Sequence, residues 1–336
     1  MLQTALKFFL LILSIIFFGI ANLFVGSVNI PPGEVVNILT GGSSTVPIYE
    51  FIILDSRLPQ AITAIIAGAG LSASGLLLQT AFHNPLASPS LLGISSGASL
   101  GVAIVTLLTG GTIAAAGLSA GGYIAIMTAA FAGSMGVMAL LLLLSNLLKN
   151  DLMLLITGVL LGYLVSSVIT LLNYQATADG IQSYVMWGMG TFSSVPPGHL
   201  AIFGGVTALG LATAILLVKP LNIIQLGSSY ARNLGINLNY VRNLLLASTG
   251  ILTAVVTAYC GPVSFIGLAV PHIARLIFPT GDHRVLMPAT ILTGCAVALL
   301  CNILCVLPSA SVLPLNSVTP LIGVPVIIFV ILSRRK

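Results

Sequence analysis

Apolar runs of about twenty residues, separated by short polar breaks, recur from one end of this chain to the other. Each run is long enough to cross roughly 30 Å of hydrocarbon as a helix, where the backbone must satisfy its own hydrogen bonds. Ten spans can be drawn: 5–26, 58–82, 91–108, 123–147, 152–174, 200–218, 243–261, 262–278, 286–307 and 318–332. The alternating segments of about ten residues that mark a membrane barrel do not appear. The seventh and eighth spans are divided only by the Gly261-Pro262 break. The pattern predicts an all-α polytopic membrane protein with about ten transmembrane helices.

The polar breaks differ in character. Residues 27–57 and 175–199 form the largest breaks on one side, and the second surrounds the lone Trp187, which suits a short interfacial helix because Trp favours the headgroup level. On the other side, 219–242 reads "KPLNIIQLGSSYARNLGINLNYVR". It is polar enough to leave the lipid, yet Leu226, Ala231, Leu234 and Leu238 are spaced to give one apolar helical face. Such a face requires a partner or the headgroup layer. A Pro-pinned turn, "HNPLASPS" at 83–90, joins the second and third spans; Pro85 and Pro89 cannot continue a helix.

Composition agrees with the spans: 57% of the residues are hydrophobic and 5% charged, too little polar surface for a soluble globule of 336 residues. Charge then sets the orientation. With the N-terminus inside, Lys7, Lys149, Lys219, Arg232, Arg242, Arg275, Arg284, Arg334, Arg335 and Lys336 are cytoplasmic, and only Arg57 is external. That asymmetry fulfils the positive-inside rule and puts both termini in the cytoplasm. The net charge of +5 therefore reports topology and not a nucleic-acid surface. The first segment, with Lys7 ahead of its apolar run, is read as a membrane anchor and not a signal peptide, since no small-x-small cleavage site follows.

The chemistry the chain lacks is equally informative. No ionisable residue stands in mid-span, and His272 and Arg275 lie near the cytoplasmic end of the eighth, which argues against a proton-coupled carrier. There is no P-loop, so ATP would have to be used by a partner. Gly93-Ile94-Ser95-Ser96-Gly97 fits G-x-S-x-G but opens a membrane helix, without the strand-turn-helix setting of a nucleophile elbow. His83, His272 and His283 lack metal-ligand spacing, and Cys260, Cys295, Cys301 and Cys305 read as small packing residues. The Gly97/Gly101 and Gly158/Gly162 pairs point to close helix packing.

Several of these stretches resemble one family, the FecCD-type permease subunits of ATP-binding-cassette importers for iron-siderophores, haem and vitamin B12. "RLPQAITAIIAGAGLSASGLLLQTAFHNPLASPSLLGISSGASLG" (57–101) contains the family's N-P-L-A-x-P-x-L-L-G-x-S turn, with Asn84 and Pro85. "FIGLAVPHIARLIFPTGDHRVLMP" (265–288) matches its P-H-x-x-R…D-H-R block, here Pro271, His272, Arg275, Asp282, His283 and Arg284. "LNIIQLGSSYARNLGI" resembles the coupling loop and "PLNSVTPLIGVPVIIFVIL" the approach to the last helix. The resemblance covers about residues 57–332.

It implies a single permease domain, 1–336, in the cytoplasmic (inner) membrane, which is not itself an enzyme and binds no cofactor. The implied partners are a second permease copy forming a homodimer, two cytoplasmic ATPases that use ATP-Mg, and an extracytoplasmic binding protein. Residues 219–242 become the coupling loop, with Leu226, Gly227, Ser228, Ala231, Arg232 and Gly235 meeting the ATPase and the two glycines setting bends. Ser95, Ser96 and Ser99 either line the pathway or pack helices. Arg57 and Gln60 fall where relatives carry paired arginines that dock the binding protein, with Glu50 and Asp55 as other docking charges. Two further positions depart from the family: Ser228 and Val312 replace acids. The cargo would be an iron chelate, haem or corrinoid; a bare metal ion, or a carrier driven by an ion gradient, are the other readings.

Overall fold

The computed structural model describes residues 2–44, 46–110, 120–148, 151–308 and 312–333, and every regular element among them is helical. Ten apolar helices occupy the expected spans. They are α1 (Leu2–Phe24), α4 (Leu58–Ala81), α5 (Ile94–Leu108), α6 (Ala120–Leu147), α7 (Asp151–Gln175), α9 (Leu200–Leu216), α12 (Leu238–Cys260), α13 (Ile266–Ile277), α14 (His283–Val306) and α15 (Leu315–Ser333). Seven are long and apolar enough to cross a membrane; α5, α13 and α15 are shorter. The polar breaks hold α2 (Pro32–Leu39), α3 (Pro47–Phe51), α8 (Ala178–Gly188), α10 (Val218–Ile224) and α11 (Ser228–Asn233). The interfacial helix expected around Trp187 is α8. Lys149, Arg334, Arg335 and Lys336, used in the charge argument, lie outside the described residues.

Composition explains which helices are central. The apolar stretch of α4 is 83% buried and that of α12 78%, against 6% for α1. The inner helices are rich in Gly, Ala and Ser, which let backbones approach where lipid gives no hydrophobic drive to association. A Cβ added to Gly75 of α4 would overlap the Gly267 carbonyl of α13, and one on Gly68 would meet the Gly294 carbonyl of α14. Gly97 and Gly101 of α5 lie in the same way against Gly133 and Ala129 of α6, while Gly158 and Gly162 of α7 face Leu92, Gly93 and Ser96. Leucine-rich α1, α6, α7 and α9 turn exposed apolar faces outward.

The ends are closed by specific side chains. Thr177, Asn237 and Asp282 cap α8, α12 and α14 by accepting hydrogen bonds from the N–H groups of Gly180, Tyr240 and Arg284. On the external side Asn316 clamps three segments: its Nδ2 donates to the carbonyls of Gly188 and Pro262, and its Oδ1 accepts from Ser264 N.

Candidate coupling site at the cytoplasmic ends of the helices

The Pro-pinned turn begins where α4 ends. His83 takes a left-handed conformation at φ 46°, and Asn84 folds an Asx turn, its Oδ1 accepting from Leu86 N at 2.9 Å. His272, buried in α13, donates from Nε2 to the Pro85 carbonyl at 2.8 Å. Beside it, Gln79 of α4 joins α13 twice: Arg275 Nη1 donates to Gln79 Oε1 at 2.6 Å, and Gln79 Nε2 donates to the Leu268 carbonyl at 3.1 Å. The P-H-x-x-R motif therefore locks α13 to the end of α4. Pro271 sits inside that helix, where it supplies no N–H.

The D-H-R motif forms a second lock, centred on Asn222 of α10. Asn222 Oδ1 accepts from His283 N and from His283 Nδ1, both at 2.8 Å, and Asn222 Nδ2 donates to Asp282 Oδ1 at 2.6 Å. Because an amide oxygen only accepts, Nδ1 of His283 carries the proton. In the neutral ring Nε2 is then the acceptor for Thr80 Oγ1 of α4, 2.8 Å away. Asp282 is fully exposed, and its carboxyl is held below the usual carboxylate range by the Arg284 N–H and then the Asn222 amide. A third bond runs from His83 Nε2 to the Ile224 carbonyl at 3.3 Å. His83 and His283 thus both engage α10, while His272 engages the Pro-pinned turn.

These bonds tie α10 to α14 and to the end of α4, and α10 leads directly into the segment expected to meet an ATPase. The sequence pattern suggests one amphipathic helix with Leu226, Ala231, Leu234 and Leu238 on a single face. The structure corrects this. Gly227 at φ 109° breaks the segment into α10 and α11, and Gly235 at φ 80° ends the second piece. Ala231 is buried against Leu221, Val241 and Leu245, Leu238 is half-buried, and Leu226 and Leu234 point outward, 66% and 55% exposed. Tyr230 and Arg232 are also exposed. The side chain of Ser228 lies outside the described residues.

The external docking candidates are turned inward. Arg57 is only 5% exposed; its Nη1 donates to the carbonyls of Leu23 and Phe24 at 2.7 and 3.1 Å, and its Nη2 donates to Val28 O. The last carbonyls of α1 lack helical partners and form the negative end of its dipole, so a guanidinium is drawn to them. Gln60 is half-buried and donates to Asn302 Oδ1 at 3.0 Å, extending a chain in which Asn302 Nδ2 donates to Asn22 of α1 at 2.6 Å. Arg57 and Gln60, expected to face a docking protein, both make bonds here that reach α1, Arg57 directly and Gln60 through Asn302. Glu50 and Asp55 remain exposed nearby.

The pathway serines lie in the first turns of α5, all half-buried. Ser99 Oγ donates to the Ser95 carbonyl at 3.1 Å and lies within hydrogen-bonding reach of Tyr184, while Ser96 Oγ would stand 3.6 Å from a Cβ on Gly162. Residues the sequence pattern did not single out, Gln79, Thr80 and Asn222, complete the cytoplasmic locks. Their one visible signal is polarity at the very end of an apolar run.

Comparison with known proteins places this geometry in context. The pattern of the FecCD transport family matches residues 12–333. A vitamin B12 import system permease protein, BtuC, from Escherichia coli O9:H4 is 33% identical over 305 residues, covering 89% of both chains. The protein of the same description from Citrobacter koseri is 35% identical over 288 residues, covering 85% of this chain and 84% of that one. Among solved structures, a metal-chelate type ABC transporter in an inward-facing conformation superposes with a TM-score of 0.83 at 28% identity, covering 98% of each chain.

Proposed function

The chain belongs to the FecCD transport family, and on that premise we propose how it works as the membrane permease of an ABC importer. It is a multi-pass transport subunit and not an enzyme. Two copies surround a central pathway in the cytoplasmic membrane, two separate ATPases bind from the cytoplasm and use ATP-Mg, and an external binding protein delivers the cargo. The relatives' descriptions favour a metal chelate, a class that includes corrinoids, iron-siderophores and haem.

One observation carries the coupling role. Leu226, Tyr230 and Leu234 are apolar side chains exposed on a segment outside the membrane spans, and Arg232 stands among them. Exposed apolar groups clustered with a cation suit a groove on a partner protein. Ala231 anchors the same short helix, and the bonds from Asn222 and Ile224 lead from it to α4 and α14. A push on α11 when ATP closes the ATPases would reach those helices through hydrogen bonds and packed side chains, the kind of element that shifts between discrete arrangements.

Purification from native membranes in mild detergent tests the reading. One P-loop ATPase per permease, with uptake that stops on ATP depletion, is the expected result. A chain that emerges alone and moves solute under an ion gradient would overturn it.

A further inference from the structure

Between the cytoplasmic end of α9, the start of α10 and the first turns of α14 lies a groove of about 370 Å³. Ile215, Val218, Met287 and Ile291 form its walls, and Lys219 and Arg284 lie along it. Both cations are exposed, and Arg284 stands in the field of the Asp282 carboxylate two residues before it. Asp282 is the nearest acid in sequence to Arg284, and both of its described hydrogen bonds, from Arg284 N and Asn222, go to one oxygen. The apolar walls belong to membrane helices, whereas both cations fall at their cytoplasmic ends.

We propose that this groove seats an anionic phospholipid of the cytoplasmic leaflet. One acyl chain would lie against Ile215 and Ile291, with the phosphate between the Lys219 ammonium and the Arg284 guanidinium. Charge selects this occupant: a zwitterionic lipid fills the apolar groove equally well but gains little from the two cations, while an anionic headgroup gains about fivefold per cation at the membrane surface. Acyl burial in a hydrocarbon-facing groove adds no selectivity, because lipid surrounds the helix in any case. The groove borders the Asn222–His283 lock, since Lys219 belongs to α10 and Arg284 follows His283. A lipid seated there would brace α10 against α14 from the membrane side.

The test uses the full chain with whatever subunits accompany it from its own membrane. The complex is equilibrated with phosphatidylglycerol and phosphatidylcholine of matched acyl chains, and retained lipid is counted by native mass spectrometry. A photo-activatable phosphatidylglycerol then reports which peptides it touches. The wild-type complex is expected to favour phosphatidylglycerol by about tenfold or more and to crosslink within 215–219 and 284–291. Lys219→Gln should lower the preference about fivefold, Lys219→Arg should restore it, and Ile215→Trp, which fills the groove, should remove the crosslink with either headgroup. Equal retention of the two lipids by the wild type, or a preference unmoved by Lys219→Gln, would overturn the proposal. So would crosslinking at these peptides that appears only after the accompanying subunits are stripped away, because the groove would then be a protein contact.

Discussion

Asn222 and His283, 61 residues apart in sequence, are joined through a single oxygen: Asn222 Oδ1 accepts from both the backbone N and the ring Nδ1 of His283, each at 2.8 Å. The pairing needs an amide at 222, because the same side chain donates to Asp282. Asn222→Asp replaces that donor with a carboxylate facing another carboxylate, and leaves Asp282 repelled where it was bonded. The variant is expected to reach the membrane at normal levels while ATP hydrolysis proceeds with cargo uptake reduced about fivefold or more, from about 1–3 kcal/mol for a broken polar pairing. Measuring uptake and hydrolysis in the same proteoliposomes checks it; parallel loss of both would show a folding defect.

The same cluster responds to acid. Asp282 has its carboxyl pKa lowered from 3.8 by the Arg284 N–H and the Asn222 amide. A lowered folded value means that the carboxylate stabilises the cap fully above pH 3.8, and that this contribution fades as pH falls through the lower folded value. Thermal stability of the purified protein should therefore carry no contribution from Asp282 titration between pH 5 and 8. Asp282→Asn should flatten the part of any decline below about pH 4 that Asp282 contributes. An Asn variant whose acid profile overlays the wild type would remove Asp282 from this role.

Glycines separate close packing from mere permissiveness. Gly75→Ala drives a methyl into the Gly267 carbonyl, which is backbone and cannot swing away. Gly136→Ala in α6 meets nothing within 4 Å. The first should cost on the order of 1–3 kcal/mol by overpacking, and the second should be neutral or slightly favourable in a helix. Denaturation of both variants in matched micelles decides; equal stabilities would mean that α4 and α13 approach less closely than described.

At the exposed knob, Leu226→Asp with Leu234→Asp should leave folding intact, since both side chains are already largely in solvent, and should abolish recovery of a partner ATPase with the purified chain. Gly235→Pro tests the bend separately. Its φ of 80° is closed to proline, whose ring holds φ near −65°, and the N–H that bonds the Arg232 carbonyl is lost. Uptake should fall while membrane insertion persists. Full transport by Gly235→Pro would show that the end of α11 tolerates another path.

Hydrophobic periodicity reveals the membrane helices because each must satisfy the same length and polarity limits, whatever its neighbours. It is less informative where several segments meet. The face drawn through Leu226, Ala231, Leu234 and Leu238 assumes one continuous helix, and Gly227 breaks that phase, sending Ala231 inward and both flanking leucines outward. Resemblance marks His272, Arg275, Asp282 and His283, but their partners Gln79, Thr80 and Asn222 are single polar residues whose importance depends on which helix ends come together. Asn316 is similar: nothing in "PLNSVTP" announces a clamp on three segments.

Arg57 is the lone cation expected on the external side and the family resemblance implies a docking group there, whereas its burial makes it a fastener for α1. The two roles predict opposite results for Arg57→Met. As a fastener, its removal strips three carbonyls of their donor in a poorly hydrated place and should cost on the order of 3 kcal/mol, seen as a lower unfolding midpoint. Affinity for the binding protein should then change less than twofold at a temperature where the variant is folded. Glu50 and Asp55 provide the comparison, because they are exposed on the same side. Charge reversal there should leave stability alone and alter the association rate most at low salt, where steering between surface charges is strongest. If Arg57→Met instead melts like the wild type and loses the binding protein, the guanidinium must leave α1 on docking, and the carbonyls of Leu23, Phe24 and Val28 would be its resting place.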